Sequence, residues 1–192
     1  YCIAEGDVSG KGMAAALMAT TMRAEMRATA QEAAMPSVAL ADVNNHLYDD
    51  LTEISRFITL FLGFYEPSTR QLTYSNAGHS LVAFLPAGGP IQVLEADSPP
   101  LGVLGNYDGR DEQLTLAAGD LILIVTDGIF EAVNADGEMY GIERLLHLAG
   151  RLANRPVAEL GSNLLADIDR FTGGIAPNDD RTVVVLKGKE GA

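Results

Sequence analysis

Hairpin-type strands fill the middle of this sequence of 192 residues, and helical segments crowd its two ends. An antiparallel pair needs only a tight turn, whereas a parallel pair needs a crossover of about a dozen residues or more. The order therefore favours an antiparallel α+β layered fold over alternating βαβ units. Residues 57–65 read as a strand apolar on both faces, hence central, and Glu66-Pro67-Ser68-Thr69 turns the chain back into residues 71–75. Leu81–Leu85 and residues 91–94 flank the Gly88-Gly89-Pro90 turn as a second hairpin. Ser98-Pro99-Pro100-Leu101-Gly102 is a rigid loop, followed by strands at 112–116 and 121–126 joined through Ala118-Gly119-Asp120, and by a closing strand at 182–186. The helical segments begin with residues 13–33, rich in Ala and Met and free of breakers. Pro36 opens a second helix whose buried stripe is Val43, Leu47 and Leu51, and residues 142–153 and 156–171 supply two more. No linker, repeat or low-complexity tract divides the chain, so residues 1–192 read as a single domain.

Charge narrows the partners. A net charge of −13 leaves no basic stripe to neutralise phosphates, which argues against nucleic acid. It is also unfavourable for an anionic substrate unless bound divalent cations reverse the sign locally. No apolar run approaches the roughly 20 residues of a membrane span, and no signal peptide is visible. The expected location is cytoplasmic, with no membrane contact by this domain. The single cysteine, Cys2, excludes a disulfide framework and is expected to be a buried structural thiol. Tyr1-Cys2-Ile3 offers neither an initiator Met nor a leader, so the chain reads as part of something longer.

Acids recur in one local setting. Gly6-Asp7-Val8-Ser9-Gly10-Lys11-Gly12 places Asp7 at the end of a short apolar run, just ahead of a helix. Asp127 follows the apolar run at 121–126, and Asp179-Asp180 precede the one at 182–186. Carboxylates fixed at strand ends suit Mg²⁺ or Mn²⁺, hard cations that take oxygen ligands in near-octahedral geometry. Each acid also has a plainer reading: Asp127 as a helix cap, Asp179 and Asp180 as a polar turn. Adjacent side chains on an extended segment point opposite ways, so only one of Asp179 and Asp180 is expected to face a given metal. A phosphate-binding P-loop fits residues 6–12 poorly: three residues rather than four separate Gly6 from Gly10, and Gly12 stands where a Ser or Thr belongs.

GDVSGKG at 6–12, NAGH at 76–79, PPLG at 99–102, GDLILIVTDGIFEA at 119–132 and NDDRTVVVL at 178–186 occur in this order over essentially the whole chain. Together they resemble the PP2C-like phosphatase domain of the bacterial SpoIIE/RsbU type, within the PPM family of metal-dependent protein serine/threonine phosphatases. The resemblance implies a four-layer αββα sandwich, two antiparallel sheets face to face with helices outside. It also implies two divalent cations, Mn²⁺ or Mg²⁺, and hydrolysis of phosphoserine or phosphothreonine by a metal-activated water. Carried over, Asp7 bridges both metals, the Val8 carbonyl is a backbone ligand, and Asp127 and Asp179 bind on the other side, with Asp180 in reserve. Gly6, Gly10, Asn76, His79 and Gly128 lie near the site. His79 falls where eukaryotic-type relatives carry an acid for a third metal; fastening the loop by hydrogen bonds is the alternative.

Family members carry a further Gly-Gly-Asp-x-x-Asp motif on an upstream hairpin, which this sequence does not contain. The expectation is a fold lacking its first strand or strands, weakened metal binding, and an exposed sheet edge that favours a homodimer. The implied partners are a phosphorylated protein, of which an anti-sigma-factor antagonist is the type, and an upstream sensor or regulatory domain. Two other readings stay open: a catalytically impaired phosphatase-like signalling or binding module, and a P-loop nucleotide hydrolase. Lys11 and Arg181 read as exposed charges in flanking turns, His46 and His147 as structural, and Met18, Met22 and Met26 as core.

Overall fold

Strand β1 (Cys2–Val8) leads into helices α1 (Met13–Glu32) and α2 (Pro36–Glu53), then β2 (Ile58–Glu66), β3 (Gln71–Ala77), β4 (Leu81–Leu85) and the short β5 (Gln92–Val93). After a long loop come β6 (Glu112–Thr115), β7 (Leu121–Val125), the single-turn α3 (Asp127–Phe130), α4 (Ile142–Leu152), α5 (Val157–Thr172) and β8 (Val183–Lys187). This is a computed structural model, and it describes residues 1–189. The strands form two four-stranded sheets, β1-β2-β3-β6 and β5-β4-β7-β8, with every pairing antiparallel. The class is α+β, as the sequence indicates. The chain divides into two compact units: Tyr1–His79 with Glu95–Thr115, and Ser80–Leu94 with the chain from Leu116 onward.

In the first unit, α1 and α2 lie on one face of their sheet. Met18 and Met26 of α1 and Leu40, Val43, Leu47 and Leu51 of α2 share a core with Val8, Ile58, Leu60 and Leu62. The methionine stripe is therefore core packing, as expected. Because side chains alternate along a strand, Val8 on the helix side sends Asp7 and Glu5 to the opposite face. Asp7 pairs directly with Thr59, and Glu5 with Phe61. The helix α2 opens on Pro36, and Asp111 serves as a remote cap, accepting hydrogen bonds from both the backbone N–H and the hydroxyl of Ser37. The fully buried Asn44 of α2 holds the long loop: its amide donates to the Leu104 carbonyl at 3.0 Å, and its oxygen accepts from Gly102 N–H at 2.9 Å. Leu101 and Ile58 exchange two backbone bonds, so the proline loop is rigid by attachment as well as by composition.

In the second unit, α4 and α5 cover one face of their sheet. Leu81, Ala83, Leu121, Leu123 and Val125 pack there with Leu145, Ala149, Leu160, Leu164 and Ile168. Every residue of β7 is buried, including Ile122 and Ile124 on its other face, which fits a strand lying inside its sheet between β4 and β8.

Two details differ from the sequence reading, and the strand pairing around residues 118–120 adds to it. The turn at 118–120 does not return a strand onto its predecessor: β6 pairs with β3, and β7 pairs with β4 and β8. Asp120 shapes that turn by accepting from the N–H groups of Ala87 and Ala117. Cys2 is exposed, not buried, because it opens a strand that ends its sheet's order among the described residues. Arg181 is not an exposed charge either: its side chain is 11% accessible and pairs with Asp169 at 3.0 Å.

Candidate functional site

The face of the first sheet opposite the helices carries the polar groups. Asp7 is half-buried on β1, one residue before the strand ends at Val8. Two residues earlier, on the same face, the buried Glu5 places Oε2 2.7 Å from His79 Nε2, and no other donor among the described residues reaches that oxygen. The other ring nitrogen of His79 is 3.4 Å from the Thr59 hydroxyl, whose residue is the direct cross-strand partner of Asp7. The Asn76 oxygen accepts from His79 N–H at 2.8 Å, and its amide donates to the His79 carbonyl at 3.3 Å. The loop is thus tied to Asn76 through the His79 backbone, while the ring stands between Glu5 and Thr59. Val8 buries its side chain in the helix-side core. Gly6 lies beside Leu60 of β2, and a Cβ there would come within 2.5 Å of the Thr59 carbonyl oxygen.

The second unit assembles the other acids. Asp127 is the first residue of α3, directly after the buried β7. Thr126, at the N-cap position, gives no side-chain cap. Its hydroxyl instead donates to the Asp180 carbonyl at 3.0 Å and accepts from Thr182 N–H at 2.9 Å. This clip seats the 179–182 segment on Gly128. A Cβ at Gly128 would stand 2.3 Å from the Asp180 carbonyl oxygen and 3.2 Å from the Asp179 Cβ. The side chain of Asp179 therefore emerges beside the residue that follows Asp127, while Asp180 is engaged through its backbone. Asp179 Oδ1 accepts from Asp180 N–H at 3.0 Å. Gly128→Ala is expected to push the segment away, lowering stability by about 1–3 kcal/mol, the range for overpacked positions. Thermal unfolding checks this: an unchanged melting temperature would mean the close approach is unnecessary.

Asp7 lies in the first unit; Asp127, Asp179 and Asp180 lie in the second. Among the described residues no group of three or more His, Cys, Asp or Glu side chains gathers closely enough to cage an ion. The donors fit a hard divalent cation in kind, being carboxylate and carbonyl oxygens on ordered elements. Mg²⁺ in particular keeps several waters and binds through one or two carboxylates plus substrate phosphate, so a dedicated protein cage is not required.

Glu5, Thr59, Thr126 and Asn44 are site or support residues that motif reading passed over. Period-two alternation from Asp7 would have found Glu5. Nothing in the local sequence points to the Thr126 clip, which joins positions 54 and 56 apart.

The family model of Stage II sporulation protein E (SpoIIE) matches residues 1–189. The chain belongs to the SpoIIE family. Phosphoserine phosphatase RsbU of Bacillus subtilis is 29% identical over 192 residues, covering 97% of this chain and 55% of that protein. The SiaA-PP2C domain of Pseudomonas aeruginosa matches in structure with a TM-score of 0.87 at 22% identity, covering 97% of this chain and 75% of that one. PstP of Mycobacterium tuberculosis, a serine/threonine protein phosphatase whose catalytic domain was solved with 2 manganese ions, matches with a TM-score of 0.71 at 17% identity over 98% of this chain and 88% of that one. These likenesses establish a PP2C fold. The chain spans about half the length of RsbU.

Proposed function

We propose that this domain is a metal-dependent protein phosphatase that hydrolyses phosphoserine or phosphothreonine on a signalling protein. The observation that carries the reading is the seat of the 179–182 segment on Gly128, which sets Asp179 beside the turn that presents Asp127. A purely structural turn has no need to bring two acids into one corner. Asp7, the Val8 carbonyl, Asp127 and Asp179 would hold Mn²⁺ or Mg²⁺, with two cations as the expected complement. When bound, such cations lower the pKa of water and offset charge on the phosphoryl oxygens, which a chain of net charge −13 could not do alone. The chain's own part is to fix its carboxylates without reorganisation: Asp7 by strand pairing, Asp127 by the end of β7, Asp179 by the Thr126 clip.

RsbU is named a phosphoserine phosphatase, and the match to it supports the same substrate chemistry here. A phosphorylated anti-sigma-factor antagonist is the substrate class we favour, with a sensor or regulatory domain in the longer protein and a cytoplasmic location. Among the described residues no helix is long and apolar enough to cross a membrane.

The test is phosphate release from a phosphoserine peptide as Mn²⁺ is titrated in, then chelated with EDTA and restored. Activity should follow the metal through all three stages. A second reading is a phosphatase-like binding module without catalysis. A cooperatively folded protein with no Mn²⁺-dependent release would establish the module and overturn the enzyme.

A further inference from the structure

Arg56 lies between the end of α2 and the start of β2, at a point pinned by several bonds. Its N–H donates to the Leu51 carbonyl at 2.9 Å. Next to it, Phe57 and Ser9 exchange two bonds: Ser9 N–H donates to the Phe57 carbonyl, and Phe57 N–H to the Ser9 hydroxyl, both at 2.9 Å. The guanidinium approaches Gly10 closely. A Cβ at Gly10 would be 2.5 Å from Cζ, 2.8 Å from one terminal nitrogen and 2.9 Å from Nε, and Gly10 has φ of 87°. Any other residue at position 10 would be strained and would displace the arginine. A half-buried cation thus stands against the turn that follows Asp7, three residues along the chain.

The protein does not use the charge itself. Among the described residues Arg56 forms no ion pair and its guanidinium donates no hydrogen bond, as holds also for Arg70 and the exposed Arg23, Arg27, Arg110 and Arg151; its place against Gly10 sets it apart. Guanidinium presents N–H donors in a planar fork that matches phosphate oxygens.

We propose that Arg56 binds the phosphoryl oxygens of the substrate. This rests on the phosphatase reading above and adds a protein-borne cation to a site otherwise made of acids. The alternative ligand, a carboxylate of the substrate peptide, is an outcome of the test.

The experiment compares wild type with Arg56→Gln, which keeps most of the length over Gly10 without charge, and Arg56→Lys, which keeps charge without the fork. Inorganic phosphate is titrated calorimetrically into Mg²⁺-loaded protein, and KM and kcat are measured on a phosphoserine peptide; melting temperatures verify folding. Arg56→Gln should weaken phosphate binding and raise KM by at least about ten-fold, roughly one lost charge-assisted bond. Arg56→Lys should fall between, and Mg²⁺ affinity should stay within about two-fold. Phosphate affinity unchanged in Arg56→Gln overturns the assignment, including the case where only KM for acidic peptides rises. The two readings fail separately: phosphate bound through Arg56 without any hydrolysis sinks the phosphatase, while normal hydrolysis in Arg56→Gln sinks Arg56 alone.

Discussion

Asp7→Asn and Asp127→Asn are each expected to cut Mn²⁺-dependent phosphate release by at least about 100-fold while leaving the melting temperature within a few degrees. Losing a hydrogen bond that merely supports a metal ligand already costs about 10–100-fold in metal affinity or activity, and losing the carboxylate itself removes more. Asparagine keeps the shape of aspartate, so the strand pairing of Asp7 with Thr59 and the start of α3 at Asp127 should survive. Metal affinity, read by Mn²⁺ calorimetry, should fall together with activity. Asp180 is the internal control. It is exposed, and its contribution to the Thr126 clip is a backbone carbonyl, so Asp180→Asn should leave activity close to wild type. Asp179→Asn should behave like Asp127→Asn. If Asp180→Asn loses activity and Asp179→Asn keeps it, the register of the ligand is off by one; if all four variants retain activity, carboxylate chemistry is not what this corner does.

What the sequence disclosed follows from the range of the forces involved. Element types and the two-sided apolar character of β2 are local, set by composition and turn chemistry, and they were legible. So was the recurrence of Asp7, Asp127 and Asp179, because each depends only on its own strand end. The destination of β6 was not legible: the turn at 118–120 looks the same whether the strand before it pairs with the one after or, as here, with β3. Cys2 and Arg181 were misread for a related reason. Burial depends on which elements lie alongside, and neither the edge position of β1 nor the Asp169 partner on α5 leaves a mark at those residues. The Thr126 clip and the cap of α2 by Asp111 likewise join distant positions by single hydrogen bonds, too few to impose a pattern on composition.

The residue least visible to motif reading carries the largest expected cost in stability. Glu5 and His79 are 5% and 1% accessible at their side chains, 2.7 Å apart, and join β1 to the turn after β3. Removing one partner of a buried polar pair costs about 1–3 kcal/mol, and more where the stranded group is charged, because that group keeps its desolvation penalty and loses its compensation. For a protein of this size about 1 kcal/mol corresponds to roughly 2–4 °C, so Glu5→Ala and His79→Ala should each lower the melting temperature by about 2–12 °C or more. The double variant Glu5→Leu with His79→Leu should lose clearly less than the sum of the two, since matched apolar replacement strands no polar group. Glu5→Gln, which preserves an acceptor for the ring nitrogen, should fall between wild type and Glu5→Ala. Strict additivity in the double variant would show that the two groups do not depend on each other. Activity adds a second readout. Glu5 shares the face of β1 with Asp7, and His79 reaches the cross-strand partner of Asp7 through Thr59. Phosphate release by Glu5→Ala, measured well below its melting temperature, should therefore fall through weaker Mn²⁺ binding and recover in part at high Mn²⁺, which a global loss of stability alone would not produce.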